Sequence, residues 1–483
     1  MLAPNDLRTT QSVQSTSSTD TQGGMDIEAL GRALANTPGS DAWQVDVIAE
    51  EEAQLYLIGD RTEARRLVTN EQAVAHIHNL HAPHGGADMP GGQALGEAET
   101  PLLASDTADP ARLAARFADG VTMASLTDNP PFTLPAAPAQ GYPSPDISDP
   151  ALLGGQAAMM AALDGLRARL EAAVATQSGV RLSSAEFYAT RSHRMLRNSR
   201  GLTAASAGTQ VFFDLVLIAQ SGDREAEVHA EMKRRRLADL QIEGTVAAYS
   251  AFARHSLRAV TPATARGPVI LSGEAVANLF YSILFFNNNP LLTHSSAAAA
   301  YQKISRFKPG ELITPEEPRG DRLTLASDGL RPFGVRSAPF DDEGLPASNL
   351  PIIENGVLRR YWADMRYATY LNVEPTGNFG NVTVARGSAP LAALRQTGSA
   401  PVYEVVLFSA FNPDPVTGDF AGEIRLGYRH NPDGTVTPIK GGALTGNVFA
   451  ALADARFSSD AYTDGVYYGP AAIRFGDLTI AGE

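Results

Sequence analysis

Residues 344–364 read GLPASNLPIIENGVLRRYWAD, and residues 427–442 repeat the texture as GYRHNPDGTVTPIKGG. Short runs of Ile, Leu, Val and Tyr are cut every few positions by Gly, Pro, Asn or Asp. Such residues form turns and do not extend helices. From about Asp321 to Glu483 the chain keeps this pattern, which predicts a mainly antiparallel β region.

Working outward toward the N-terminus, the pattern changes. Val269-Ile270-Leu271 reads as a strand leading into the apolar stretch Ala275 to Phe286, a buried helix that begins near Gly273. A second helix is predicted from about Asp239 to Ala259. Between Pro150 and Ala175, Leu152, Met159, Leu163, Leu166, Leu170 and Ala173 recur mostly at intervals of three and four, the period of an amphipathic helix, with Asp149 placed to cap it. This helix is expected to pack on strands at 184–190 and 208–218. Nearer the start, a short helix precedes a β meander with pieces at Val45–Ile48 and Gln54–Ile58, and Gly59-Asp60 signals a turn.

Residues 82–146 are dense in Gly, Pro, Ala and Asp, with one helical interruption near Pro110 to Phe117, and predict a long surface excursion. The predicted class is therefore α+β: an N-terminal α/β part (β meander with long helices) followed by a mainly antiparallel β domain. The expected divisions are a disordered leader over 1–24, rich in Ser, Thr and Gln, then 25–260, then 261–483.

The 483 residues, 44% of them apolar, can bury a large core, and the absence of cysteine rules out disulfides, thiol nucleophiles and thiolate metal ligands. Against 53 acidic residues stand 39 basic ones, a net charge of −14, which opposes binding to nucleic acid. No apolar run reaches the roughly 20 residues needed to cross a bilayer, and the leader lacks the basic start and apolar centre of a secretory signal. A cytoplasmic protein with a peptide or small-molecule partner is expected.

Two clusters invite a chemical reading. His76, His78, His81 and His84 hold four of the nine histidines, but imidazoles make a metal site only where their nitrogens converge, and this stretch runs into a Gly/Pro-rich segment. It reads as an adventitious surface cluster. The basic run Lys233, Arg234, Arg235, Arg236 is flanked by Glu225, Glu227, Glu231 and Asp239, and reads as a solvated helical face. No nucleophile elbow, Walker loop or dinucleotide fingerprint occurs at a strand-to-helix junction. Glu274, early in a helix where the dipole favours a carboxylate, says little alone.

Several ordered motifs say more: Asn198-Ser-Arg-Gly201, Phe340-Asp-Asp-Glu-Gly-Leu-Pro346, Ile353-Glu-Asn-Gly-Val-Leu358, Pro375-Thr-Gly-Asn378, Val416-Thr-Gly-Asp-Phe420, Leu444-Thr-Gly-Asn447 and Leu478-Thr-Ile-Ala-Gly482. Together they resemble the TldD/PmbA (TldE) family, historically labelled modulator of DNA gyrase, over most of residues 184–483. The resemblance implies a cytoplasmic peptidase built from two homologous subunits, one with a zinc motif H-E-x-x-x-H and one, the PmbA/TldE type, without it.

By this resemblance the zinc motif aligns with Gly273-Glu-Ala-Val-Ala-Asn278, which keeps Glu274 and lacks both histidines, and the family's late Cys aligns with Tyr468. No cofactor is expected, since a catalytic zinc needs three protein ligands and a water. The implied role is a zinc-less subunit that pairs with a TldD-like zinc-bearing homologue, or with itself, and helps bind unfolded or leader-bearing peptides. Extended peptides bind by adding to strand edges, and the peptide-binding candidates are Phe340, Asp342, Glu343, Gly344, Thr376, Gly377, Asn378, Thr417, Gly418 and Asp419; their plainer reading is tight turns. Two alternatives remain open. One is a stand-alone hydrolase using Glu274 or a metal relocated to the histidine cluster, and the other is a non-enzymatic regulator of DNA gyrase.

Overall fold

The computed structural model describes residues 24–86, 89–281 and 289–483. The expected leader, apart from Gly24, and the part of the apolar stretch beyond Tyr281 lie outside the described residues.

The N-terminal part is organised on one antiparallel sheet of long strands: β1 (Ala42–Ile58), β2 (Arg61–His81), β3 (Ala94–Leu102), β4 (Val180–Asn198), β5 (Thr203–Ser221) and β6 (Arg224–Arg234), in the order β3-β2-β1-β4-β5-β6. At about 3.4 Å per residue, the 21 residues of β2 extend over roughly 70 Å. The two pieces expected at 45–48 and 54–58 are one strand, because Ala49 to Glu52 continue its pairing with both β2 and β4.

Alternation along the strands gives the sheet one apolar face, and helices cover it in two batches. At one end Trp43, Val45 and Val47 pack with α1 (Ile27–Ala35) and α3 (Pro110–Ala124). At the other, Ala53, Leu55, Leu57, Phe187 and Phe213 meet α4 (Gln156–Ala175) and α5 (Ile242–Ser256). The apolar positions read from the α4 sequence are the buried ones, Met159, Leu163, Leu166, Leu170 and Ala173. Asp149 caps a separate 3-10 turn at Pro150–Leu152, one step before the helix.

Two expectations are corrected here. Residues 82–146 are not only a surface excursion, since they carry β3, a short helix α2 (Ala104–Thr107) and α3, and bury Leu95, Leu102, Leu113 and Phe117. Their Ala, Gly and Glu content hid the strand, which gains its place by pairing with β2 rather than by propensity. The run Lys233–Arg236 is not a helical face: β6 ends at Arg234, and Arg235 is fully buried, donating to the carbonyl oxygens of Gly334, Val335 and Ser337.

The C-terminal part holds two further sheets around the largest apolar core. One contains Leu325–Asp328, Asn349–Glu354, Val357–Leu358, Asn381–Val384, Ala461–Asp464 and Tyr467–Pro470. The other is centred on β7 (Ala265–Ser272), flanked by Val402–Pro413 and Ala472–Ala481. Most pairings are antiparallel, and two are parallel: β7 with 403–405, and 382–383 with 467–468. Helix α6 (Glu274–Phe280) follows β7 and buries Ala275, Val276, Leu279 and Phe280 in this core. Among the described residues no helix is long and apolar enough to cross a membrane.

Candidate functional site

A cleft of about 1130 Å³ opens between β6 and α5 on one side and the C-terminal sheets on the other. Its floor is set by the turn from β7 into α6. Gly273 there has φ +59 and ψ −127, a conformation that disfavours a side chain, and it lets the chain reverse so that Glu274 starts the helix facing the cleft. The expected strand-to-helix passage at 269–279 is present, and Glu274 is its one carboxylate.

Burial pushes the Glu274 carboxyl up to about 7, and the nearby Asp464 charge adds to this. The Tyr249 hydroxyl, which donates to Oε2 at 2.9 Å, and His229 act in the opposite direction. Asp464 and Glu231 are also held above the ordinary carboxylate range, chiefly by burial. This end of the cleft thus gathers three carboxyl groups that resist ionising together. The other cleft walls are basic and aromatic: the Arg331 guanidinium lies 3.9 Å from the Tyr468 ring centre, and that of Arg236 lies 3.8 Å from Phe333.

A second ionic group abuts the first. Glu404, completely buried, accepts from Ser272 Oγ at 2.7 Å, from Arg395 Nε at 2.7 Å and Nη2 at 2.6 Å, and from His430 Nε2 at 2.7 Å. Burial alone would raise its pKa, but the bonds from His430, Arg395 and Ser272 outweigh it and hold the carboxyl at about 2. The bond to Ser272, the last residue of β7, ties this anion to the backbone that carries Gly273 and Glu274.

Of the positions singled out in the sequence, Gly273, Glu274 and Tyr468 line this one cleft, although 194 residues separate Glu274 from Tyr468 in the chain. Asn278, one helical turn on, is not among the lining residues. Gly273 has no donor, and the Tyr468 phenol is raised by burial, so neither offers the imidazole or thiolate that zinc prefers. The residues present do not fit a catalytic zinc of the family type.

The ten peptide-binding candidates lie in two groups of turns, none of them lining the cleft. Phe340 is buried against Leu196 of β4 and Leu202 in the turn between β4 and β5. The adjoining turn is a knot between the two halves of the chain. Arg194, bonded to Asp46 through Nε at 2.9 and 2.8 Å, reaches Asp342 Oδ1 at 3.1 Å, and Gln44 donates to the Asp342 carbonyl at 2.7 Å. Asn378 donates to Asp342 Oδ2 at 2.7 Å, the Met365 amide donates to Glu343 at 2.8 Å, and the Thr376 hydroxyl accepts from the Ala363 amide at 2.8 Å. Gly344 has φ +88, with Leu202 so close that a Cβ would meet it at 2.9 Å, and Gly377 has φ +74 beside Asp341. The other group is the turn at Thr417, Gly418 and Asp419, where the Asn447 amide donates to the Thr417 carbonyl at 2.9 Å and to Asp419 at 2.8 Å.

Sequence reasoning missed Tyr249, Asp464 and the arginines. The basic run was the available signal for Arg234 and Arg236, and its assignment to a helix concealed that both line the cleft. Nothing local marks Asp464, which matters only because its strand lies near α6.

Residues 264–482 match the family model described as the PmbA/TldA metallopeptidase C-terminal domain. The metalloprotease PmbA of Escherichia coli is 26% identical over 269 residues, 53% of this chain and 56% of that protein. A zinc metalloprotease TldD homolog of Saccharolobus solfataricus is 23% identical over 288 residues, 56% of this chain and 61% of that one. The chain thus spans little more than half the length of these curated relatives. The crystal structure of TldE from Thermococcus kodakarensis superposes with a TM-score of 0.75 at 20% identity, covering 94% of this chain and all of that one, a likeness of fold that takes in the N-terminal part as well. On these matches residues 264–482 are a domain of the PmbA/TldA metallopeptidase C-terminal type, and the chain is similar to PmbA and TldD proteins.

Proposed function

We propose that this chain is a zinc-less, TldE-type subunit of a cytoplasmic peptidase, which binds unfolded or leader-bearing peptides and relies on a zinc-bearing homologue for cleavage. The observation that carries the reading is the meeting of Gly273, Glu274 and Tyr468 in one cleft. These are the positions where the family motifs align, and their side chains cannot replace imidazole and thiolate. The cleft's acidic end at Glu231, Glu274 and Asp464 and its arginines at 234 and 331 suit the mixed charge of an extended peptide.

Co-expression tests it. The chain is expected to co-purify with a homologue carrying H-E-x-x-x-H, and the complex is expected to cleave unstructured peptides that neither this chain nor its Glu274→Gln variant cleaves alone. A chain that stays single in the presence of such homologues would overturn the proposal.

One observation favours a second reading, a hydrolase acting alone. A carboxyl near 7 bonded to a tyrosine hydroxyl is poised for proton transfer at neutral pH. Turnover by the isolated chain that disappears in Glu274→Gln would establish this reading in place of the first.

A further inference from the structure

The histidine-rich stretch divides in the fold. His76 and His78 sit within β2, where His78 is buried beside Glu97 and the ring of Phe132 and is held well below its ordinary pKa, at about 4, mainly by burial. His81 ends β2 and His84 opens the following 3-10 turn. These two rings stand 5.1 Å apart, centre to centre.

A third donor comes from a distant segment. Asp128 follows α3 and precedes Asn129, whose backbone bridges to Leu95 of β3. Its Oδ1 lies 2.9 Å from His84 Nδ1 and 3.8 Å from His81 Nδ1, while its Oδ2 accepts from the His84 amide at 2.8 Å. One ligating atom from each residue falls within 4.8 Å of the others, and this is the one such grouping of His, Cys, Asp or Glu found among the described residues.

We propose that His81, His84 and Asp128 bind a single zinc-type divalent cation at a site that shares no residue with the cleft. Ligands bonded at about 2.0–2.1 Å to a tetrahedral ion stand roughly 3.3–3.4 Å apart, and the separations of Asp128 Oδ1 from His84 Nδ1 and His81 Nδ1, 2.9 and 3.8 Å, straddle that spacing. Two imidazoles and one carboxylate are ligands of borderline metals, not of calcium or magnesium. His81 and Asp128 are mostly buried while the His84 side chain is 60% exposed, which leaves one side open for water as a fourth ligand. The surroundings are rich in acceptors: the carbonyl oxygens of Ala82 and Thr127 lie 2.9 and 3.2 Å from the two nitrogens of the His81 ring. An ion there would fasten the end of β2 to the end of α3, joining segments 44 residues apart.

The test uses the full-length chain without a histidine tag, stripped by a chelator and titrated with zinc alone against a chromophoric competitor. One equivalent is expected to bind, with affinity lowered about tenfold or more in Asp128→Asn and in His84→Ala. His76→Ala and Glu274→Gln are expected to bind as the parent does. Cobalt in place of zinc is expected to give visible bands of a four-coordinate nitrogen and oxygen site, a readout that needs no variant to fold. No saturable binding, binding indifferent to Asp128 and His84, or binding lost equally in His76→Ala would overturn the proposal.

Discussion

Glu274 and Glu404 line the same cleft, and their surroundings drive them in opposite directions. Both suffer desolvation. Glu404 meets it with a guanidinium, an imidazole and a hydroxyl and stays ionised down to about pH 2, whereas Glu274 has one tyrosine hydroxyl and acidic neighbours and loses its proton only near 7. The difference teaches that burial sets no direction of use by itself; the donors supplied alongside it decide whether a carboxylate becomes a structural anchor or a group able to exchange protons at neutral pH.

The largest expected effect comes from breaking the anchored side. Glu404→Gln removes the anion that Arg395 and His430 face, and is expected to cost about 3 kcal/mol in chemical unfolding, at the lower end for a broken buried pair because Arg395 is partly solvated. Glu404 contributes stability above its unfolded pKa that is lost as pH falls toward 2, so the variant's deficit should shrink in acid.

Glu274→Gln acts with the opposite sign. Its folded pKa is raised, so the wild type loses stability as pH climbs from the ordinary carboxylate range through 7. The variant is expected to be more stable by about 2 kcal/mol at pH 8 and equal near pH 4, measured as thermal midpoints at the two pH values. Tyr249→Phe should cost about 1 kcal/mol and move the Glu274 titration upward, since the ionised form loses its donor. The smallest effect is expected from Asp464→Asn: the Glu274 titration, followed by carbon-13 NMR, should move down yet stay above the ordinary range, because burial is the larger cause. A full return to that range would show the like charge to be dominant.

The comparison also explains what was legible beforehand. The α4 periodicity foretold its buried face because a helix repeats locally, and the Gly/Pro-punctuated text after 321 foretold β structure because turns are local too. β3 escaped notice, as did the buried setting of Arg235, since strand pairing and a cage of carbonyl oxygens come from elsewhere in the chain. The motifs at 340–346 and 375–378 were visible as motifs. Their place in a knot between the halves was not, because the Arg194 to Asp342 contact spans 148 residues.

What the sequence determined by itself was therefore chemical inventory and local form: no thiol anywhere, a glycine before Glu274 at the end of a strand, a helix opening at Glu274, and a net charge of −14. The tertiary structure alone decided convergence. It set Asp464 near Glu274, gave Glu404 its three donors, and brought Asp128 to two of four clustered histidines. Side-chain identity and helical period are properties of neighbours along the chain, but a pKa or a ligand set depends on distances of a few ångströms between residues that only folding brings together.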